Sequence, residues 1–247
     1  MIRKPLVQSV GRGLACGAGL AAATYAAYAG ATWLRYGHLP GGGAPDPLLD
    51  RFMPTYEVVE RHHLRVRAPA ELTFAAACEV DFQQSALVRA IFKGREVILG
   101  SAPDASEHPR GLLALTTSLG WGVLAEAPGR EVVVGAATQP WKANVVFRAL
   151  PPEAFAAFNE PDYVKIVWTL RADPIAAGES VARTETRVAT TDPAARRKFR
   201  RYWSLAAPGI VIIRRAALRL VRAEAERRAA SRSAQSSEAG SAPDYPM

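Results

Sequence analysis

The side chains with chemistry to offer are few and scattered. His62 and His63 are neighbours in a β-branched, charged stretch, YEVVERHHLRVR at Tyr56 to Arg67. In an extended chain they point to opposite faces and cannot chelate one metal together. His38 falls in a Gly/Pro-rich stretch and His108 beside a proline, so no metal site is assigned. Cys16 and Cys78 are the only cysteines, which excludes a disulfide framework and a cysteine-built zinc site. G-x-S-x-G, a P-loop, H-E-x-x-H and a strand-borne G-x-G-x-x-G are all missing from suitable contexts, so neither a catalytic residue nor a cofactor is assigned.

Two sets of residues carry more. In the late strands Val164, Ile166, Trp168 and Leu170 alternate onto one face, and Ala182, Thr184, Thr186 and Val188 do the same. Trp168 with two hydroxyls on one apolar face fits either an ordinary packed core or the lining of a small-molecule cavity, apolar with a few convergent polar groups. Glu185 and Arg187 fall on the opposite face, expected to be wet, as a surface ion ladder of little energetic weight.

The second set lies on the C-terminal stretch ARRKFRRYWSLAAPGIVIIRRAALRLVRAEAERR, Ala195 to Arg228, with eleven basic and two acidic residues. The chain as a whole carries a formal net charge of +8, so the remainder is close to neutral and the basic character belongs to one face. At 100° per residue Phe199, Trp203, Ala206, Ile210, Ile213, Ala217 and Val221 fall on one line. Arg197, Arg201, Arg215, Arg219 and Arg222 fall opposite, predicting an amphipathic helix of about 36 residues and about 54 Å. Asp192 as N-cap and Pro193 as first helical residue mark its start, and Pro208 predicts a kink or a break. The arginine face suits either water or anionic lipid headgroups. Nucleic acid is disfavoured because no aromatics interleave with the basic face.

The elements that must position these residues read as a strand at Tyr56 to Arg67, then helices at Glu71 to Cys78 and Ser85 to Leu99. Strands follow at Gly122 to Glu126, Glu131 to Gln139, Val145 to Phe147, Tyr163 to Ala172 and Val181 to Thr190, before the long helix. Strands in a run followed by a helix indicate an α+β sheet with a helix on one face.

In this order the sequence resembles the START/Bet v 1-like (SRPBCC, polyketide cyclase/dehydrase) superfamily. The resemblance rests on the strand-to-helix joint VRAPAELTF at Val66 to Phe74, the paired strands VKIVWTLRADP and GESVARTETRV, and the long helix after Asp192-Pro193. It implies a helix-grip fold, with a curved antiparallel sheet wrapped around the C-terminal helix and an apolar cavity between them that takes a lipid, quinone or polyketide-like molecule. The superfamily has no universal catalytic residue, so none is carried over. Trp168, Thr184, Thr186, Phe199, Trp203 and Ile210 are the expected ligand-binding residues.

The domain organisation expected is a basic N-terminus (1–13), an uncharged alanine-rich run Leu14 to Leu34, a linker (35–51), the START/Bet v 1-like domain (52–228) and a disordered tail (229–247). The run is long enough to span a bilayer as a helix, and three readings stay open: a single-pass membrane anchor, a cleaved export signal, or an alanine-rich helix on the domain. The expected function is a membrane-tethered binding protein for a hydrophobic small molecule. The alternatives are a cyclase/dehydratase-type enzyme using the same cavity and a ligand-free structural domain. An inward-facing Glu60, His63 or Asp81 would favour the enzyme.

Overall fold

The computed structural model describes residues 4–38, 45–81, 85, 89–90, 93–94, 100 and 109–239. The predicted helix at Ser85 to Leu99 lies largely outside them. In chain order the elements are α1 (Lys4–Arg35), α2 (Pro47–Asp50), β1 (Val58–Val66), α3 (Ala70–Glu79), α4 (Leu112–Ser118), β2 (Gly122–Ala127), β3 (Glu131–Thr138), β4 (Phe147–Arg148), α5 (Pro152–Phe155), β5 (Val164–Ala176), β6 (Glu179–Thr190) and α6 (Pro193–Ala239). The strands form one antiparallel sheet in the order β1-β6-β5-β3-β2, with the short β4 added to β3. The long C-terminal helix and α3 pack on one face of this open sheet, which is the α+β, helix-grip arrangement expected.

Strand alternation decides which residues meet the helix. On the inner face Val66, Val132, Val134, Trp168, Leu170 and Ala172 pack with Leu72, Leu218 and Val221. Nearer the start of α6, Val58, Val164 and Val188 pack with Phe199, Trp203 and Ala207. Burying a large apolar side chain contributes about 1.5–3 kcal/mol, so this seam is the main source of stability. α3 is tied to it by Ser180, whose hydroxyl meets Thr73 Oγ1 at 2.8 Å and donates to Ala68 O at 2.9 Å.

The helix begins as expected, with Asp192 Oδ1 accepting from the Ala194 and Ala195 amides at 2.6 and 2.9 Å. It is not broken at Pro208: a single helix of 47 residues runs through it, because the apolar line on both sides remains packed on the sheet. It also continues through residues 229–239, in the stretch read as tail.

The outer face corrects a second expectation. Glu185 and Arg187 are 8% and 3% exposed, not a wet ladder. The end of the segment read as linker, with the first residues of the expected domain, folds over them: Asp46 caps α2 through the Leu49 amide at 3.0 Å, and Leu49, Phe52 and Met53 are buried against Val133, Ala137 and Val167. Arg187 donates to Asp50 Oδ1 at 2.6 Å, Met53 O at 2.8 Å and Glu185 Oε1 at 2.8 Å, and Arg61 Nε reaches Glu185 Oε2 at 2.8 Å. Polar residues alternating with apolar ones mimic a solvated face when the cover is a separate segment of chain. Gly135 permits the cover at the other end, since a Cβ there would stand 2.7 Å from the Phe155 ring.

Beside α2, Glu131 is 5% exposed with one carboxylate oxygen unpartnered. Burial, the nearby Asp46 carboxylate and a hydrogen bond to Asp46 push its carboxyl up to about 7.

Arg187→Ala leaves Asp50 and the Met53 carbonyl without the guanidinium and Glu185 with Arg61 alone, and is expected to cost about 3 kcal/mol in urea unfolding. Glu131 has its folded pKa raised, so its contribution is full below the unfolded value near 4.5 and is lost as pH rises through about 7. Glu131→Gln is therefore expected to flatten the fall in stability between pH 5 and 8, by about 1–2 kcal/mol, in melts across that range.

Candidate functional site

The inner face of β1 carries Val58, Glu60, His62, Leu64 and Val66, paired across to Val188, Thr186, Thr184, Ala182 and Ser180 of β6. The apolar seam is thus interrupted at its centre by two polar pairs, Glu60 with Thr186 and His62 with Thr184. Trp168 of β5 stands next to Thr186 in the following register position. The predicted pair Thr184 and Thr186 with Trp168 is therefore brought together, all three buried.

Across from them the helix places Arg214. Its guanidinium donates to Thr184 Oγ1 at 3.2 Å, while its Nε is shut off from solvent with no partner. Burial lowers its pKa to about 10, only partly opposed by the Glu60 carboxylate. Thr186 Oγ1 and His62 Nε2 are likewise buried and without hydrogen bonds, and His62 Nε2 stands 3.5 Å from Glu60 Oε2. Three buried polar atoms with unmet hydrogen-bonding capacity thus lie on adjoining elements of one interior region. Each such atom costs about 1–3 kcal/mol when left unmatched.

The remaining predicted residues fall into a neighbouring group. Phe199 and Trp203 stack with ring centroids 5.8 Å apart, and Ile210 packs partly buried beside them. They line the seam towards Val164 and Val188, while Trp168 packs with the other apolar cluster and meets Trp121 edge-on at 6.3 Å. The polar group sits between the two clusters in sequence register. Arg197, Arg201, Arg215, Arg219 and Arg222 are all exposed, as helical projection predicted.

Of the three residues named as markers of an enzyme, Glu60 is on the inner face with its side chain 25% exposed, His63 is exposed on the outer side, and Asp81 follows α3 half-buried. His62 is the histidine that faces inwards. Sequence reasoning missed Arg214, which entered only the count of basic residues and was assigned to neither face of its helix. The signal was available: Arg214 lies eleven residues after Trp203, within about 20° of the same line at 100° per residue.

α1 lies along the C-terminal helix. Tyr25 donates to Leu205 O, Arg200 donates to Trp33 O at 2.9 Å and covers the Trp33 ring at 4.2 Å, and Tyr36 packs 6.1 Å from Phe199. Among the described residues, no helix is long and apolar enough to cross a membrane. Among the described residues, clefts elsewhere include one of about 380 Å³ on the outer face beside Arg51, Arg130 and Glu131 and one of about 670 Å³ between Arg67, Leu72 and Ala229.

Arg214→Met removes a part-buried charge held by one neutral hydrogen bond and keeps an unbranched apolar stem, so unfolding free energy is expected to rise by about 1–3 kcal/mol. A fall of similar size in a denaturant melt would mean that Arg214 serves the fold itself.

No protein-family model matches the sequence, and no curated protein matches it. Among solved structures, a hypothetical protein of Helicobacter pylori is similar over 76% of this chain and 98% of its own, with 7% identity and a TM-score of 0.38. A Thalictrum norcoclaurine synthase covers 66% of this chain and 93% of its own, with 11% identity and a TM-score of 0.30. A Streptomyces aromatase/cyclase covers 69% and 94%, with 18% identity and a TM-score of 0.25. These are likenesses of chain path, and the chemistry of the site rests on its own residues.

Proposed function

We propose that this chain binds a hydrophobic small molecule between the sheet and its C-terminal helix, while lying against a membrane surface. The observation that carries the binding reading is the unmet hydrogen-bonding capacity of Arg214, Thr186 and His62 in a polar group flanked on both sides by apolar clusters. A packed core serving only stability gains nothing from such atoms, whereas a bound molecule with one polar end would satisfy them and bury its apolar part. Full-length protein purified without detergent is expected to release a hydrophobic molecule on solvent extraction, seen as a mass shift in native spectra. Protein that carries none and takes up no apolar fluorophore would overturn the reading.

The membrane contact is supported by the surface of α6. Leu205 and Ile212 are 60% and 45% exposed between Arg201 and Arg215, and Arg219 and Arg222 extend the same side. With α1 lying along this helix, the arrangement suits attachment at the headgroup level, apolar side chains entering and arginines meeting phosphate. Replacing Arg215, Arg219 and Arg222 by Gln removes about 1 kcal/mol each, so partitioning to phosphatidylglycerol vesicles is expected to fall about 100-fold in flotation. Equal flotation of variant and wild type, or none for either, would sink the membrane reading.

A second reading, an enzyme of cyclase or dehydratase type, is favoured by Glu60 and His62 facing into the seam 3.5 Å apart, as an acid/base pair would need. It requires that the molecule recovered from Glu60→Gln differ chemically from that recovered from wild type.

A further inference from the structure

Resting on the binding reading above, we infer that Arg214 is the anchor for the carboxylate of an amphipathic acid, whose hydrocarbon part lies along the apolar inner face. An arginine guanidinium offers five N–H donors in a planar fork that matches a carboxylate with two parallel hydrogen bonds. Among the described residues, the hydrogen bond it makes goes to the neutral Thr184 hydroxyl, and Nε is idle. Arg214 also occupies the one position on the buried line of α6 between Val211 and Leu218 where an apolar residue would continue the pattern. A charge in that place needs a counter-charge, and the described residues put none within bonding distance.

The neighbours narrow the class further. Thr186 faces the same region with a hydroxyl that has no partner, so it is free to donate to a second carboxylate oxygen. Glu60, paired with Thr186 in register, is the only described carboxylate that bears on Arg214 through its charge. Glu60 is not bonded to Arg214 but lies near enough to add negative charge, so a carboxylate, with one charge, is tolerated better than a phosphate dianion, which would exceed the single cation. On the apolar side Trp168 and Val188 flank Thr186 and Ile166 on the inner face, and offer the surface that a hydrocarbon chain or ring would cover.

The test uses the full-length chain and two probes of equal length, dansyl-aminoundecanoic acid and its methyl ester, titrated by fluorescence. Wild type is expected to bind the acid at least about tenfold more tightly than the ester, the scale of a charge-assisted pair. Arg214→Met is expected to abolish the preference, bringing acid and ester to within about twofold of each other. Thr186→Val, which keeps the arginine and the shape of the side chain, is expected to weaken the acid by a smaller factor, about threefold. Equal binding of acid and ester by wild type, or a preference for the acid that survives in Arg214→Met, overturns the assignment and leaves the binding reading standing. Absence of binding by either probe overturns both. Thermal melts of the variants separate loss of the anchor from loss of the fold.

Discussion

The seam between the inner face of the sheet and one line of α6 is the constraint on which the rest of the molecule depends. The four strands β1, β6, β5 and β3 are oriented by it: Val58, Val66, Val134, Trp168, Leu170 and Val188 point one way because the helix covers that side. It also keeps the helix continuous through Pro208, where a lost backbone hydrogen bond and a steric push would break a helix standing alone. Since interiors are close-packed, the helix cannot roll to hide Arg214 on another side without lifting Phe199, Trp203 and Val221 out of their places. The part-buried arginine is therefore held by the fit of its apolar neighbours more than by any bond of its own.

The opposite face obeys a different logic. A sheet with one helix layer leaves its outer side to water, and the alternation of β6 reads that way. Here Leu49, Phe52 and Met53, which precede β1, lie over the middle of the sheet. Arg187 then becomes the hub that satisfies Asp50, Glu185 and the Met53 carbonyl at once, with Tyr56 under its guanidinium at 4.6 Å. Such a network is specific rather than strongly stabilising, because desolvating charges offsets much of what they gain by pairing.

Much of this was legible in the residues. The period-two runs of β5 and β6, the Pro-Gly hairpin joining β2 to β3, and the Asp192-Pro193 start of α6 each correspond to a local physical preference, and each is found where expected. The inner placement of Trp168, Thr184 and Thr186 follows from the same alternation. What could not be read locally depended on distant parts of the chain. Glu185 and Arg187 are buried by a segment more than a hundred residues earlier, and nothing in their own strand announces a cover. Glu60 and His62 gained meaning only once β1 was placed beside β6. Arg214 lies between these cases: its angular position was computable, but its isolation from carboxylates was not.

The pairing of β1 with β6 has a consequence for how the molecule forms. Val58 meets Val188 and Val66 meets Ser180, whereas β2 with β3 and β5 with β6 close over short turns. Loop-closure entropy makes such distant pairings late events, and sheets rich in them fold slowly. During synthesis the hairpins can form while β1 waits at the edge for a strand not yet made. Glu60 and His62 belong to β1, Thr184 and Thr186 to β6, and Arg214 to the helix that follows. The polar centre is therefore complete only when the longest-range pairing of the sheet is made, so it depends on nearly the whole length of the chain.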